Sequence, residues 1–248
     1  ATEVEGITGI ITGKITSEGS LKHTDAASAT IKLSELDIDI FGQKVANAEE
    51  IDIVVTPERF TVNSLDMRGK ELGLFAQGSL DFSGNFDLAV DGAVDLRPFA
   101  KLLPASAGIS SLAGRLQLIC NIQGTFLQPK IEGIAEISQG SLQLRAYPDS
   151  IRSIQGKIAF LPELIEILQL RGNVGGGSFN TTGQIAYDAN GIQNFKIDVV
   201  GKQIAVNQAV TALTMTFSPH IQLSGSLAPP QIAGEVFIHN AVYTQDLD

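Results

Sequence analysis

Three histidines, His23, His220 and His239, are the only imidazoles in the chain, and no two of them stand at a spacing at which neighbouring turns or strands would present both to a metal. Asp87, Asp91 and Asp95 form a regular carboxylate row. On an extended strand, positions four apart are about 13 Å from each other, too far for an acid–base pair. The row therefore reads as a solvated face, with a weak calcium site as the alternative. Gly172-Asn-Val-Gly-Gly-Gly-Ser178 has the glycine density of a phosphate loop, but no lysine follows at the required offset and no strand-to-helix context surrounds it. A turn leading into a strand over 179–187 accounts for the glycines better. Ser141 and Ser178 lack the flanking glycines of a nucleophile elbow, and Asn180-Thr-Thr is a glycosylation sequon too short to carry weight. Cys120, the only cysteine, excludes an internal disulfide and a cysteine-rich metal site. Its place on an apolar face predicts a small buried hydrophobe. No cofactor or metal site and no catalytic constellation emerges, and the chain is expected not to be an enzyme.

The residues that do repeat are architectural. Gly124-Thr-Phe-Leu-Gln-Pro129-Lys-Ile-Glu-Gly133-Ile-Ala-Glu-Ile137 recurs as Gly225-Ser-Leu-Ala-Pro-Pro230-Gln-Ile-Ala-Gly234-Glu-Val-Phe-Ile238, with glycine, proline, isoleucine and glycine in register. A unit that keeps these residues while its other side chains drift within polar and apolar classes builds a scaffold rather than a catalytic centre. Before the proline, Leu116, Leu118, Cys120 and Ile122 are apolar at even numbers; after it, Ile131, Gly133, Ala135 and Ile137 are apolar at odd ones. Period-two alternation marks strands with one dry and one wet face, and proline, which donates no ladder hydrogen bond, sits between strands or at an edge. Gly124, Pro129, Gly133, Gly225, Pro230 and Gly234 are accordingly read as structural turn positions. A worn third copy begins at Gly19-Ser-Leu-Lys-His-Thr-Asp-Ala.

Most of the remaining chain also reads as strand. The clearest stretch is 86–96, where Phe86, Leu88, Val90, Gly92, Val94 and Leu96 alternate with Asp87, Ala89, Asp91, Ala93 and Asp95. Others are 31–40, 51–55, 72–82, 141–144, 164–170, 195–200 and 213–217, punctuated by Gly42, Gly69, Gly78, Gly84, Gly156, Gly172 and Gly183. Pro98 and Pro104 bracket one or two helical turns over 97–104, and the small residues of 105–114 form the best linker. This divides the chain into β-modules at 1–104 and 105–248, continuous in one elongated body. No amphipathic helix is long enough to cover a sheet, so the apolar faces either meet as a sandwich or line one long curved sheet. The scarcity of large aromatics, with no tryptophan, tilts the balance toward an open groove.

A net charge of -10 argues against nucleic acid and against docking on an anionic membrane surface. No apolar run approaches the roughly 20 residues of a membrane span, and the opening Ala1-Thr-Glu-Val is no secretory signal, so an anchor or targeting element is expected outside this segment.

Several pieces occur in an order that resembles the TamB family and its AsmA-like relatives. They are Asp95-Leu-Arg-Pro-Phe-Ala-Lys-Leu-Leu-Pro104, Ala113-Gly-Arg-Leu-Gln-Leu118, the Gly124, Pro129 and Gly133 motif, Gly140-Ser-Leu-Gln-Leu-Arg-Ala-Tyr-Pro148, Ile154-Gln-Gly-Lys-Ile-Ala-Phe160 and Leu168-Gln-Leu-Arg-Gly-Asn-Val-Gly-Gly-Gly177. The resemblance implies an all-β, mostly antiparallel curved sheet, built from repeats into a taco-like apolar groove. It implies a bacterial periplasmic protein, anchored in the inner membrane by a part absent from this chain. The groove would carry phospholipid between the inner and outer membranes and support outer-membrane assembly. A TamA-type outer-membrane barrel would be the partner, engaged through a region outside this chain, of which Ala241-Val-Tyr-Thr-Gln-Asp-Leu-Asp248 looks like the lead-in. The expected lining residues are Phe86, Leu88, Val90, Val94, Leu116, Leu118 and Ile122, with Ile131 and Ile137. Two other readings stay open: a platform that holds unfolded strands for outer-membrane insertion, and a closed sandwich or solenoid of a structural protein. Exposed sheet edges would also permit a dimer.

Overall fold

The computed structural model describes residues 7–20, 23–40, 43–70, 72–101, 108–145, 147, 149–208, 213–227 and 229–243. They form sixteen strands and one short 3-10 turn, Pro98–Lys101. The strands are β1 (Ile7–Ser20), β2 (His23–Ile40), β3 (Gln43–Asn47), β4 (Ile51–Val55), β5 (Arg59–Gly69), β6 (Leu72–Asp81), β7 (Asn85–Asp95), β8 (Ile109–Thr125), β9 (Gln128–Leu144), β10 (Ile151–Leu161), β11 (Leu164–Val174), β12 (Gly177–Asp188), β13 (Gly191–Lys202), β14 (Ile204–Gln208), β15 (Leu213–Gly225) and β16 (Gln231–Tyr243).

The strands hydrogen-bond as a single sheet in the order β1-β2-β3-β5-β6-β7-β8-β9-β10-β11-β12-β13-β15-β14, with β4 paired to β2 and β5, and β16 to β15. The expected all-β antiparallel sheet is thus present, and the strands join one sheet rather than dividing into the two sheets of a sandwich. Most chain neighbours pair directly, while β3 pairs with β5 across β4 and β13 with β15 across β14, so the backbone satisfies its polar groups in the ladder without helices.

Two compact units can be distinguished. The first holds residues 1–98 and 117–133, the second 99–116 and 134–248. In the first, Val45, Ile51 and Met67 form a small sealed core, against which Leu33, Leu36, Ile53 and Leu74 pack. In the second, a ladder of antiparallel pairs runs from β10 through β11, β12 and β13 to β15.

The recurring motif occupies two hairpins. Gly124, one residue before the end of β8, and Gly225, the last of β15, have nearly identical left-handed backbones, with φ of 102° and 101°. L side chains avoid this region, so both copies keep glycine there. Only part of the motif is a turn, however. Phe126 and Leu127 make the first turn, while Pro129 and Gly133 lie inside β9. In the second copy Pro230 precedes β16 and Gly234 lies within it. The in-strand glycines answer a packing demand. A Cβ on Gly133 would stand 2.2 Å from the Ile119 carbonyl oxygen, and one on Gly234 would stand 2.1 Å from that of His220.

The same physics explains Gly78, Gly156, Gly172 and Gly183, four of the glycines that punctuate the strands. All four lie within strands, where a Cβ would strike the neighbouring strand or its side chains. The expected helical turns shrink to Pro98–Lys101, with 102–104 outside the described residues. The expected linker is largely strand. Residues 109–114 open β8, held by the Ser110 hydroxyl donating to the Gln143 carbonyl at 3.1 Å and by a tight Gly114–Gly140 approach. Residues 105–107, Gly42, the Leu21–Lys22 part of the worn copy and 244–248 lie outside the described residues.

Candidate functional site

The apolar rows expected from alternation are laid out strand by strand. On β7, Phe86 is 9 % exposed, whereas Leu88, Val90 and Val94 are half-buried and Asp87 and Asp91 face solvent. Each apolar member stands opposite an apolar or small partner on β6: Leu80 faces Phe86, Gly78 faces Leu88, Ala76 faces Val90 and Leu72 faces Val94. On β8, Leu116, Leu118 and Ile122 are half-buried around the buried Cys120, while Arg115, Gln117, Asn121 and Gln123 are exposed. On β9, Ile131 and Ile137 are half-buried on either side of buried Ala135. Two isoleucines break the pattern: Ile119 and Ile134 sit on the exposed face at 56 % and 40 %.

The second unit carries a row the sequence reading did not single out. Ile158, Ile167, Gly183, Ile197 and Leu223 stand opposite one another on β10, β11, β12, β13 and β15. Beside them run Phe160, Ile165, Ile185 and Phe195 on four successive strands. All of these side chains except the glycine's absent one are only half-buried. The signal for this row was present as alternation within each strand. Its continuity across strands depends on register, which alternation alone does not supply. Register slips between Lys157 and Ile158 on β10 and between Ile167 and Leu170 on β11 mark bulges that local periodicity misses.

Two qualities distinguish these rows from an ordinary core. Few side chains are sealed: among the described residues the buried apolar ones are Val45, Ile51, Met67, Phe86, Cys120, Ala135 and Ile204. The rows themselves are mainly aliphatic, with Phe86, Phe160 and Phe195 among them, and carry no charge. Such a surface makes non-directional contacts with hydrocarbon and holds no particular atom in place.

The residues considered for chemistry stay apart. His220 lies 3.8 Å from Asp198, and His239 shares a 2.8 Å hydrogen bond with the Ser218 hydroxyl on the exposed face of β15 and β16. Asp87 accepts a hydrogen bond from the Gln123 amide at 3.1 Å, and Asp95 pairs with Arg97 at 2.8 Å. The hydrogen bond from Arg97 holds the Asp95 carboxyl below its ordinary range. Burial pushes the Cys120 thiol up, so it is an inert packing residue, as its face predicted. Gly175 and Gly176, with φ of 56° and 75°, form the two-residue turn between β11 and β12 that the glycine run suggested. Among the described residues no group of three or more His, Cys, Asp or Glu is placed to hold a metal ion. No helix among them is long and apolar enough to cross a membrane.

No curated protein and no solved structure matches the chain. The family model of the TamB C-terminal domain matches residues 168–246, the part that carries most of β11 and all of β12 to β16, and TamB is the family that the motifs above already resembled.

Proposed function

We propose that this chain is a segment of a periplasmic, inner-membrane-anchored protein of the TamB type. Its apolar rows form the floor of a groove that carries phospholipid acyl chains between the inner and outer membranes and supports outer-membrane assembly. The observation that carries the reading is that the long, mainly aliphatic rows are largely half-buried and uncharged, while among the described residues the buried apolar side chains of the first unit are Val45, Ile51, Met67, Phe86 and Cys120, of which only the first three cluster as a core. Bringing two acyl chains into water costs about 0.8 kcal/mol per methylene, roughly 20 kcal/mol or more in total. An aqueous compartment is therefore crossed only under continuous apolar cover. A sheet supplies that cover with its backbone already satisfied, alternate side chains meeting the tails and the others meeting solvent. Nothing in such a role asks for a catalytic group. A TamA-type barrel is the partner expected at the outer membrane, engaged beyond this segment.

One feature favours the second reading, a platform that receives unfolded strands. Among the described residues β16 pairs only with β15 and is exposed along its whole length, Ile232, Phe237 and Tyr243 being 71 %, 66 % and 63 % exposed. An open apolar edge of this kind accepts another strand, from a client or from a second copy. Native mass spectrometry and solvent extraction of the purified segment separate the two readings. Co-purifying phospholipid supports the groove. A folded segment that carries no lipid but captures unfolded barrel strands supports the platform.

A further inference from the structure

The end of the second unit where β10 and β12 begin and β11 and β13 finish carries a feature that the apolar rows do not use. Three open clefts adjoin there, all lined by Ser153, the largest about 530 Å³. Arg152 lines two of them, and Arg171 and Lys202 line the third. The register explains why they lie on neighbouring strands at one end of the ladder. Arg152 stands opposite Asn173, Asn173 opposite Ser178 and Ser178 opposite Lys202, while Arg171 stands opposite Gln155 and Asn180 in the adjoining row. With strands about 4.8 Å apart, the Arg152 to Lys202 row spans about 14 Å, within the combined reach of the two side chains.

Between the cations the row offers only amides and a hydroxyl. Arg171 is held by donating to the Gln155 side-chain oxygen at 2.9 Å, a neutral partner. Among the described residues none of the three cations forms an ion pair, in a chain whose net charge is -10. The backbone is also unusual at this point. The β10–β11 register slips between Arg152 and Gln155, and Ser153 within the slip has a left-handed φ of 53°. Bulges with such residues re-aim side chains, and they recur beside binding sites.

The geometry points to an oxyanion site, formed by Arg152, Arg171 and Lys202 with the Asn173 and Asn180 amides, that takes a phosphate group borne on a small polar body such as glycerol. Guanidinium pairs phosphate oxygens in a bidentate fork, and the neighbouring amides and Ser178 suit the hydroxyls of a glycerol or sugar. Each of the adjoining clefts, about 530, 480 and 400 Å³, has the volume of a small-molecule site rather than of a bare ion. A phospholipid headgroup and a free phosphoester share this chemistry. The inference stands on the cleft's own geometry, whether or not the apolar rows carry acyl chains.

The test is calorimetric titration of the intact chain with sn-glycerol 3-phosphate, with dihexanoylphosphatidylglycerol below its micelle concentration, and with glycerol as the uncharged control. Both phosphates should bind and glycerol should not, with affinity falling as salt rises. Arg152→Gln/Arg171→Gln should weaken binding by about tenfold or more, and Arg152→Lys should weaken it less than Arg152→Gln. Removing the Asp149 carboxylate, which lines the first cleft beside Arg152, as Asp149→Asn, should tighten it. Tighter binding of the diacyl probe identifies a lipid headgroup as the source, and equal binding identifies a free phosphoester. Absence of binding by both phosphates, or unchanged binding by the folded double-glutamine variant, would overturn the site. Neither result touches the acyl-chain reading, which is read by lipid capture at Leu118.

Discussion

Gly133 lies so close to Cys120 that a Cβ on the glycine would stand 2.5 Å from the cysteine Cα. Gly234 repeats the relationship, its Cβ position lying 2.8 Å from the Ile221 Cα. The atoms in the way are backbone, which cannot swing aside as a long side chain can. Gly133→Ala should therefore destabilise the chain by about 1–3 kcal/mol. Gly73→Ala, where no atom lies within 4 Å of the new methyl, should stay within about 0.5 kcal/mol of the parent. Urea unfolding midpoints compare the two.

A sealed core and an open row respond differently to truncation. Ile51 is 2 % exposed, so Ile51→Ala should leave a cavity and cost about 2–5 kcal/mol. Leu118 is half-buried, and Leu118→Ala should cost about 1–2 kcal/mol because less hydrocarbon returns to water and no closed void remains. Equal losses would mean that the row is packed as tightly as the core.

Cys120 gives a pH-dependent readout. Burial raises its thiol above the ordinary value of 9.0, so the unfolded chain loses this proton before the folded one does. The stability that goes with the protonated thiol is complete below that value and declines as pH rises beyond it. Cys120→Ala should flatten the alkaline limb of the stability profile. Alkylation by iodoacetamide at neutral pH should be slow in the folded protein and rapid in urea.

The Asp95–Arg97 pair works in the opposite direction. The Arg97 hydrogen bond lowers the Asp95 carboxyl below its ordinary value of 3.8, so the pair's contribution is present above that value and is lost as pH falls through the folded one. Arg97→Gln should move the Asp95 titration upward toward 3.8, as followed by carboxyl carbon shifts in NMR.

Much of the fold was legible in the residues. Alternation from Phe86 to Leu96 located β7 to within a residue at each end, and the paired Gly-Pro-Gly segments located the β8–β9 and β15–β16 hairpins. The phase switch across each motif follows from the hairpin itself. In the second copy Ile221 faces Gly234 and Leu223 faces Ile232, so odd positions meet even ones across the turn. What escaped were β3, β10 and β14, the first strand, where Gly9, Gly13 and Gly19 interrupt the apolar positions of β1, and β5, which pairs with β6 through a register slip between Val62 and Leu65. The packing role of the in-strand glycines was not legible because composition does not reveal how close the next strand lies. The basic cleft was invisible for a related reason. Arg152, Arg171 and Lys202 are distant in sequence, and only register brings them to one end of the ladder.

The central claim is that the apolar rows, and not the faces beside them, meet lipid tails. Photo-crosslinking side chains placed at Leu118 and Val90, and separately at their exposed neighbours Gln117 and Asp91, test it in cells. Capture of phospholipid at Leu118 and Val90, with little at Gln117 and Asp91, is the predicted result. Equal labelling at all four positions, or none at any, would contradict it.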